Sequence, residues 1–130
     1  MISNEEKLAK INQYIEAYNN YNVNGMLQPL DNHISFANIT NDYITLTTQG
    51  KPDFEIQAIK ALDLFKNRNQ KIESITFNDE SVIVDISYTA IVNYEIPYEL
   101  NIGEKVSIKG KSIFTFKDDK IIDIRDVINS

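Results

Sequence analysis

From Val82 to Tyr94 every second residue is apolar or aromatic: Val82, Val84, Ile86, Tyr88, Ala90, Val92 and Tyr94 alternate with Ile83, Asp85, Ser87, Thr89, Ile91 and Asn93. A period of two rich in β-branched residues predicts a strand with one buried face. The run is longer than the usual strand of about 5–6 residues, so it must twist and curl. After a polar turn the pattern returns with Val106, Ile108, Gly110, Ser112, Phe114 and Phe116 on one face and Lys105, Lys109 and Lys111 on the other. Gly110 and Ser112 are small residues on an apolar face, as a bend or a cavity floor requires. Asp118-Asp119 is a tight turn into a last strand holding Ile122, Ile124, Asp126 and Ile128 on one face.

The chain before this meander carries a different period. Ser3 or Asn4 can cap a helix whose first turn holds Glu5 and Glu6. Leu8, Ile11, Ile15 and Tyr18 follow at helical spacing, with Tyr14 on an adjoining edge. A shorter helix over 23–28 stops at Pro29. Ile34, Phe36 and Asn38 alternate as a first strand, and Thr40-Asn41-Asp42 turns into a second over 43–48. Ile59, Leu62 and Phe65, with Ala58 and Ala61, predict the stripe of a third helix fraying at Asn67-Arg68-Asn69. A strand over 71–77 then leads into the meander. The order is ααββα followed by four strands. This is an α+β fold in one domain, 1–130: a curved antiparallel or mixed sheet wrapped over N-terminal helices as a cone with an interior pocket.

Composition narrows the chemistry. The 130 residues carry 19 acids against 13 bases, a net charge of -6. That balance opposes non-specific binding to nucleic acid or to an anionic membrane. There is no cysteine and one histidine, His33, so neither thiolate chemistry nor a zinc site is expected, and no cofactor is implied. No secretory signal or membrane span is visible, and a cytoplasmic location is expected.

Two stretches carry a family resemblance. The run from Tyr14 through Ala17, Asn19, Asn22 and Asn24 to Leu27 is similar to the pattern Y-x-x-A-x-n-x-x-D-x-d-x-l. Ser112 to Asp126 is similar to g-x-f-x-f-x-d-G-K-I-x-x-w-R-D. With the order of elements, they resemble the nuclear transport factor 2-like superfamily in its SnoaL-like and steroid-isomerase-like branches. The resemblance implies the cone fold and little about reaction, because the fold hosts isomerases, dehydratases, hydrolases, cyclases and non-enzymatic modules. It places the isomerases' oxyanion-donating tyrosine at Tyr14, their general base at Asn38 and their second acid near Ser112. Asparagine cannot take a proton, so steroid isomerisation is not expected. The final-strand aspartate of limonene epoxide hydrolases falls on Asp126. Their partner arginine and aspartate have no counterpart among Tyr88, Ala90, Val92 and Tyr94.

Asp126 is the leading candidate. A carboxylate among Ile122, Ile124 and Ile128 is costly to bury, which suits an acid, base or ligand anchor with a raised pKa. Its structural reading is a carboxylate satisfied by Arg125, a lysine or backbone amides. Tyr14 is the second catalytic candidate. Tyr14, Tyr18, Asn38, Tyr88, Tyr94, Ser112 and Phe114 are the expected ligand-lining residues, although each tyrosine could equally be a core aromatic with a satisfied hydroxyl. His33, beside Asp31, reads as an edge residue, and the lysine stripe reads as a solvated face with Asp85 as a cross-strand partner.

These features predict a module that binds an unidentified apolar or weakly polar small molecule. The alternatives are a lyase, isomerase or hydrolase using Asp126 with a tyrosine polarising the substrate, and a dimeric protein-interaction scaffold. Ile83, Ile91, Ile113 and Thr115 on the outer sheet face predict a homodimer. Its contact is expected at an Ile91–Ile113 end, with the lysines at the rim.

Overall fold

The two long alternating runs are neighbours in one six-stranded sheet. The computed structural model describes residues 2–94 and 101–129; the polar turn expected after Tyr94 lies in part outside them. The elements are α1 (Asn4–Asn19), α2 (Val23–Leu27), β1 (Leu30–Thr40), β2 (Tyr43–Gln49), α3 (Lys51–Ala61), β3 (Phe65–Phe77), β4 (Ser81–Val92), β5 (Lys105–Lys117) and β6 (Lys120–Ile128). Their order across the sheet is β2-β1-β6-β5-β4-β3. Every pair is antiparallel except β1 with β6, so the sheet is mixed.

Local chemistry sets the ends of these elements. Ser3 caps α1 in a full capping box with Glu6, which satisfies two orphan amides reciprocally. Asn41 and Asp42 both take positive φ, at 50° and 70°. That is the left-handed pair a two-residue hairpin between twisted strands requires. Ile11, Ile34, Val82, Val84, Phe114, Ile121 and Ile124 are fully buried between α1 and the sheet. The inward set on β4 is the one its alternation predicts. No helix among the described residues is long and apolar enough to cross a membrane.

Four expectations need correction. The buried face of α1 is Lys7, Ile11, Tyr14, Ile15 and Ala17, rotated from the predicted stripe. Lys7 survives burial because its Nζ donates to the Asp79 carbonyl at 3.2 Å and stands over the Phe116 ring. The predicted stripe of the third helix is not one face: α3 ends at Ala61, Phe54 is its one buried residue, and Ile56 and Ile59 are 55% and 51% exposed. Leu62 and Phe65 lie beyond the helix.

The third correction is the start of β3, at Phe65 rather than at Lys71. Asn67 takes a positive φ of 52° and the β3–β4 register slips between Lys66 and Asn69. What reads as a fraying helix end is therefore a bulge inside a strand, the device that re-aims a side chain. The fourth concerns the outer face. Ile113 stands opposite Ile83, whereas Ile91 stands opposite Lys105 at the other end of the ladder. There is no Ile91–Ile113 end, and the apolar pair on that face is Ile83–Ile113.

Candidate functional site

A cavity of about 350 Å³ opens between the concave face of the sheet and the C-terminal end of α1. Its walls are mainly apolar, with Ile86 on β4, Val106 and Ile108 on β5, and Val127 and Ile128 on β6. Ile108 is 36% exposed at the open side. The volume is in the range of small-molecule sites.

One polar row crosses the sheet at the cavity. Asp126 on β6 has Asn38 on β1 as its cross-strand partner on one side and Ser112 on β5 on the other. All three line the cavity. Ser112 Oγ donates to Asp126 Oδ1 at 2.6 Å, the length of a charge-assisted bond. Burial pushes the Asp126 carboxyl up from 3.8 to about 6, and the Ser112 bond opposes that rise. The side chain keeps part of its surface toward the cavity, so desolvation by the surrounding protein and access from the cavity coexist. Arg125 does not neutralise it: its Nε lies 3.4 Å from Asp123 Oδ2.

Gly110 is required by a close approach. A Cβ there would stand 2.7 Å from the Val127 carbonyl oxygen, so β6 can cross this point only over a glycine. The position serves the cavity as well, since Gly110 lines it next to Ser112 on the same face.

The tyrosines divide. Tyr18 and Tyr88 line the cavity, and Tyr18 Oη lies 3.0 Å from Tyr88 Oη. Burial raises the pKa of both phenols, and Arg68 opposes the rise. Tyr14, one turn before Tyr18, packs edge-on against Phe114 and beside Phe54 in the core. Neither Tyr14 nor Phe114 is part of the lining. Their side chains fill the space between α1 and the sheet, so the cavity position expected for Tyr14 belongs to Tyr18. Tyr14 is still close enough for Asp126 to raise its pKa, behind the larger effect of burial. Tyr94 also stands apart, 61% exposed: β4 ends at Val92, and the Asn93 amide turns to bond the Leu64 carbonyl. His33 is exposed, and its amide donates to Asp31 Oδ1.

Sequence reasoning missed the cavity's second polar end. The bulge turns Arg68 inward until it is 3% exposed. Its Nε donates to the Tyr18 carbonyl at 3.0 Å, and its guanidinium carbon lies 3.8 Å from the Tyr18 ring centre and 4.4 Å from that of Tyr21. Tyr21 Oη serves the bulge itself, donating to the Phe65 carbonyl and accepting from the Arg68 amide. The Asn19 side chain bonds both the amide and the carbonyl of Gln70. No motif in a run of two asparagines around an arginine announces this. The signal that existed was an arginine, one of two in the chain. Among the described residues no cluster of three acids or histidines could hold a metal ion.

Solved structures share this architecture. AclR from Streptomyces galilaeus is 22% identical, with a TM-score of 0.77 over 98% of this chain and 91% of its own. An LEH-like epoxide hydrolase from M. tuberculosis is 14% identical, with a TM-score of 0.75 over 95% and 83%. A Catenulispora acidiphila protein with a ketosteroid isomerase-like fold, solved in complex with trimethylamine, is 10% identical, with a TM-score of 0.73 over 90% and 82%. No protein-family model matches the chain, and no curated protein sequence does. The chain has the nuclear transport factor 2-like fold, a cystatin-like cone. At these identities the likeness concerns the fold and leaves the reaction open.

Proposed function

We propose that this protein binds a small, largely apolar molecule in the cone cavity, with Asp126 as the group that meets the ligand's reactive or polar atom. The observation that carries the reading is the Asp126–Ser112 pair at the wall of an otherwise apolar cavity of about 350 Å³. A desolvated carboxyl in such a place is a common mark of a functional site. A protein of similar fold, from Catenulispora acidiphila, was solved in complex with a small molecule, trimethylamine. Native mass spectrometry of the purified protein tests the reading. A co-purifying mass should be present in the wild type and lost in Ile108→Trp, which fills the open side. A retained mass in that variant places the ligand elsewhere and overturns the reading.

A second reading, proton transfer at Asp126, is favoured by its pKa of about 6. A carboxyl poised near neutrality can act as a base above that value and as an acid below it. The epoxide hydrolase among the similar folds is compatible with such chemistry on this scaffold. Asp126→Asn should then reduce turnover by about 10²–10⁴-fold while leaving the fold intact.

We also propose a homodimer through the outer sheet face, where Ile83 and Ile113 stand side by side. An isologous contact would set that pair against its symmetry mate and leave the cavity free. Sedimentation equilibrium should find a dimer that Ile83→Asp with Ile113→Asp dissociates, and a monomeric wild type at micromolar concentration rejects it.

A further inference from the structure

Arg68 is a buried cation with no counter-ion among the described residues. The ion pair formed among the described residues is Arg125 with Asp123, on the other side of the sheet order. Arg68 Nε is satisfied by the Tyr18 carbonyl, and the guanidinium lies against the rings of Tyr18 and Tyr21. Its Nη2 has no hydrogen-bond partner among the described residues. Capping of the α1 C-terminus accounts for Nε, and cation–π contact accounts for the stacking. Neither accounts for an unsatisfied donor on a buried charge, which is costly to keep. Although the chain has six more acids than bases, 19 against 13, no carboxylate among the described residues pairs with it.

The neighbouring hydroxyls are short of an acceptor too. A bond between Tyr18 Oη and Tyr88 Oη uses one of their two protons, whichever of them donates. The other proton has no protein acceptor among the described residues, and both hydroxyls belong to the cavity wall. Asp126 lies at a distinct pole: its partner Ser112 stands opposite Val84, a residue that precedes Tyr88 on the same face of β4, with Ile86 between them. The cavity therefore has a carboxyl at one pole, apolar walls, and a cation-backed hydroxyl pair at the other.

We propose that the Tyr18–Tyr88 pair, backed by Arg68, is the pole that receives a negatively charged oxygen of the ligand, a carboxylate or an enolate. Arg68 is a positioning residue here: it holds the Tyr18 ring and supplies positive potential through it, while the hydroxyls make the contact. The inference rests on the cavity being the ligand site. Lys111, on the exposed rim, is the competing source of positive charge.

Calorimetric titration at neutral pH with two matched pairs tests this. The carboxylate arm is 2-naphthoate against its methyl ester; the enolate arm is 1,3-indanedione against its 2,2-dimethyl derivative, which cannot enolise. In at least one arm the anion should bind about tenfold tighter than its neutral partner, the order of one charge-assisted hydrogen bond. Arg68→Met should abolish that preference. Arg68→Lys should retain part of it, and Lys111→Met should retain it fully. Tyr88→Phe, which keeps Arg68 and the ring, should also lose the preference; it decides the matter if Arg68→Met does not fold. Equal binding of anion and neutral partner overturns this inference alone, as does a preference lost in Lys111→Met and kept in Tyr88→Phe. No binding of any probe overturns the cavity reading together with it.

Discussion

Ser112 Oγ donates to Asp126 Oδ1 at 2.6 Å from the neighbouring strand, and the two are paired in the β5–β6 register. This bond favours the ionised carboxylate, while burial favours the protonated form. Burial wins, which leaves the group poised near neutrality rather than inert. Ser112→Ala should therefore raise the Asp126 pKa further above 6, read by carboxyl NMR. A fall in that variant would mean that the serine is not the bond stabilising the charge.

The same carboxyl makes stability depend on pH. A folded pKa raised above the unfolded value means that the native state holds its proton more tightly. The cost of Asp126 is then absent below the unfolded value, grows between 3.8 and about 6, and is complete above that. Its size is about 2–3 kcal/mol at most. Asp126→Asn, which keeps a polar partner for Ser112, should stabilise the fold at pH 8 by more than it does at pH 4, measured by urea denaturation. An equal effect at both pH values would contradict the shift.

The fold and the inward faces of β4 and β5 were legible because their periods are set by which side chains must leave water; on β6 a register shift opposite Thr115 and Phe116 buries Ile121 in place of the expected Ile122. Asp126 was legible for the same reason, as a carboxylate on an isoleucine face. Tyr14 and Tyr18 are one turn apart, and spacing does not say which of them reaches past the core into the cavity. Packing against Phe54 and Phe114 decides it. Arg68 was not legible because its direction depends on a bulge at Asn67, and a bulge shifts every alternation that follows it. The Ile83–Ile113 neighbourhood is a matter of register, which the hairpin geometry fixes and single-strand patterns do not.

The bulge is held by one hydroxyl. Tyr21 Oη donates to the Phe65 carbonyl and accepts from the Arg68 amide, at 3.0 and 3.1 Å. Tyr21→Phe leaves both backbone groups without that partner in a part-buried place. It should cost about 1–3 kcal/mol by chemical denaturation and weaken any Arg68-dependent selectivity. A neutral effect on stability would show that solvent replaces the hydroxyl.

Gly110 gives a purely steric test. A methyl group there would meet the Val127 carbonyl at 2.7 Å and Ile128 Cγ1 at 3.3 Å. A backbone oxygen in a ladder yields little, so Gly110→Ala should destabilise by about 1–3 kcal/mol and pull the end of β6 away from the cavity. Unchanged stability would show that β6 is free to shift at its last residues.

Whether Asp126 is a desolvated carboxyl facing a ligand cavity is read most directly by titration of its side-chain carbon by NMR. The expected midpoint is about 6, moved when a cavity-sized probe such as 2-naphthoate is added. A midpoint at the ordinary aspartate value of about 3.9, indifferent to the probe, would contradict it.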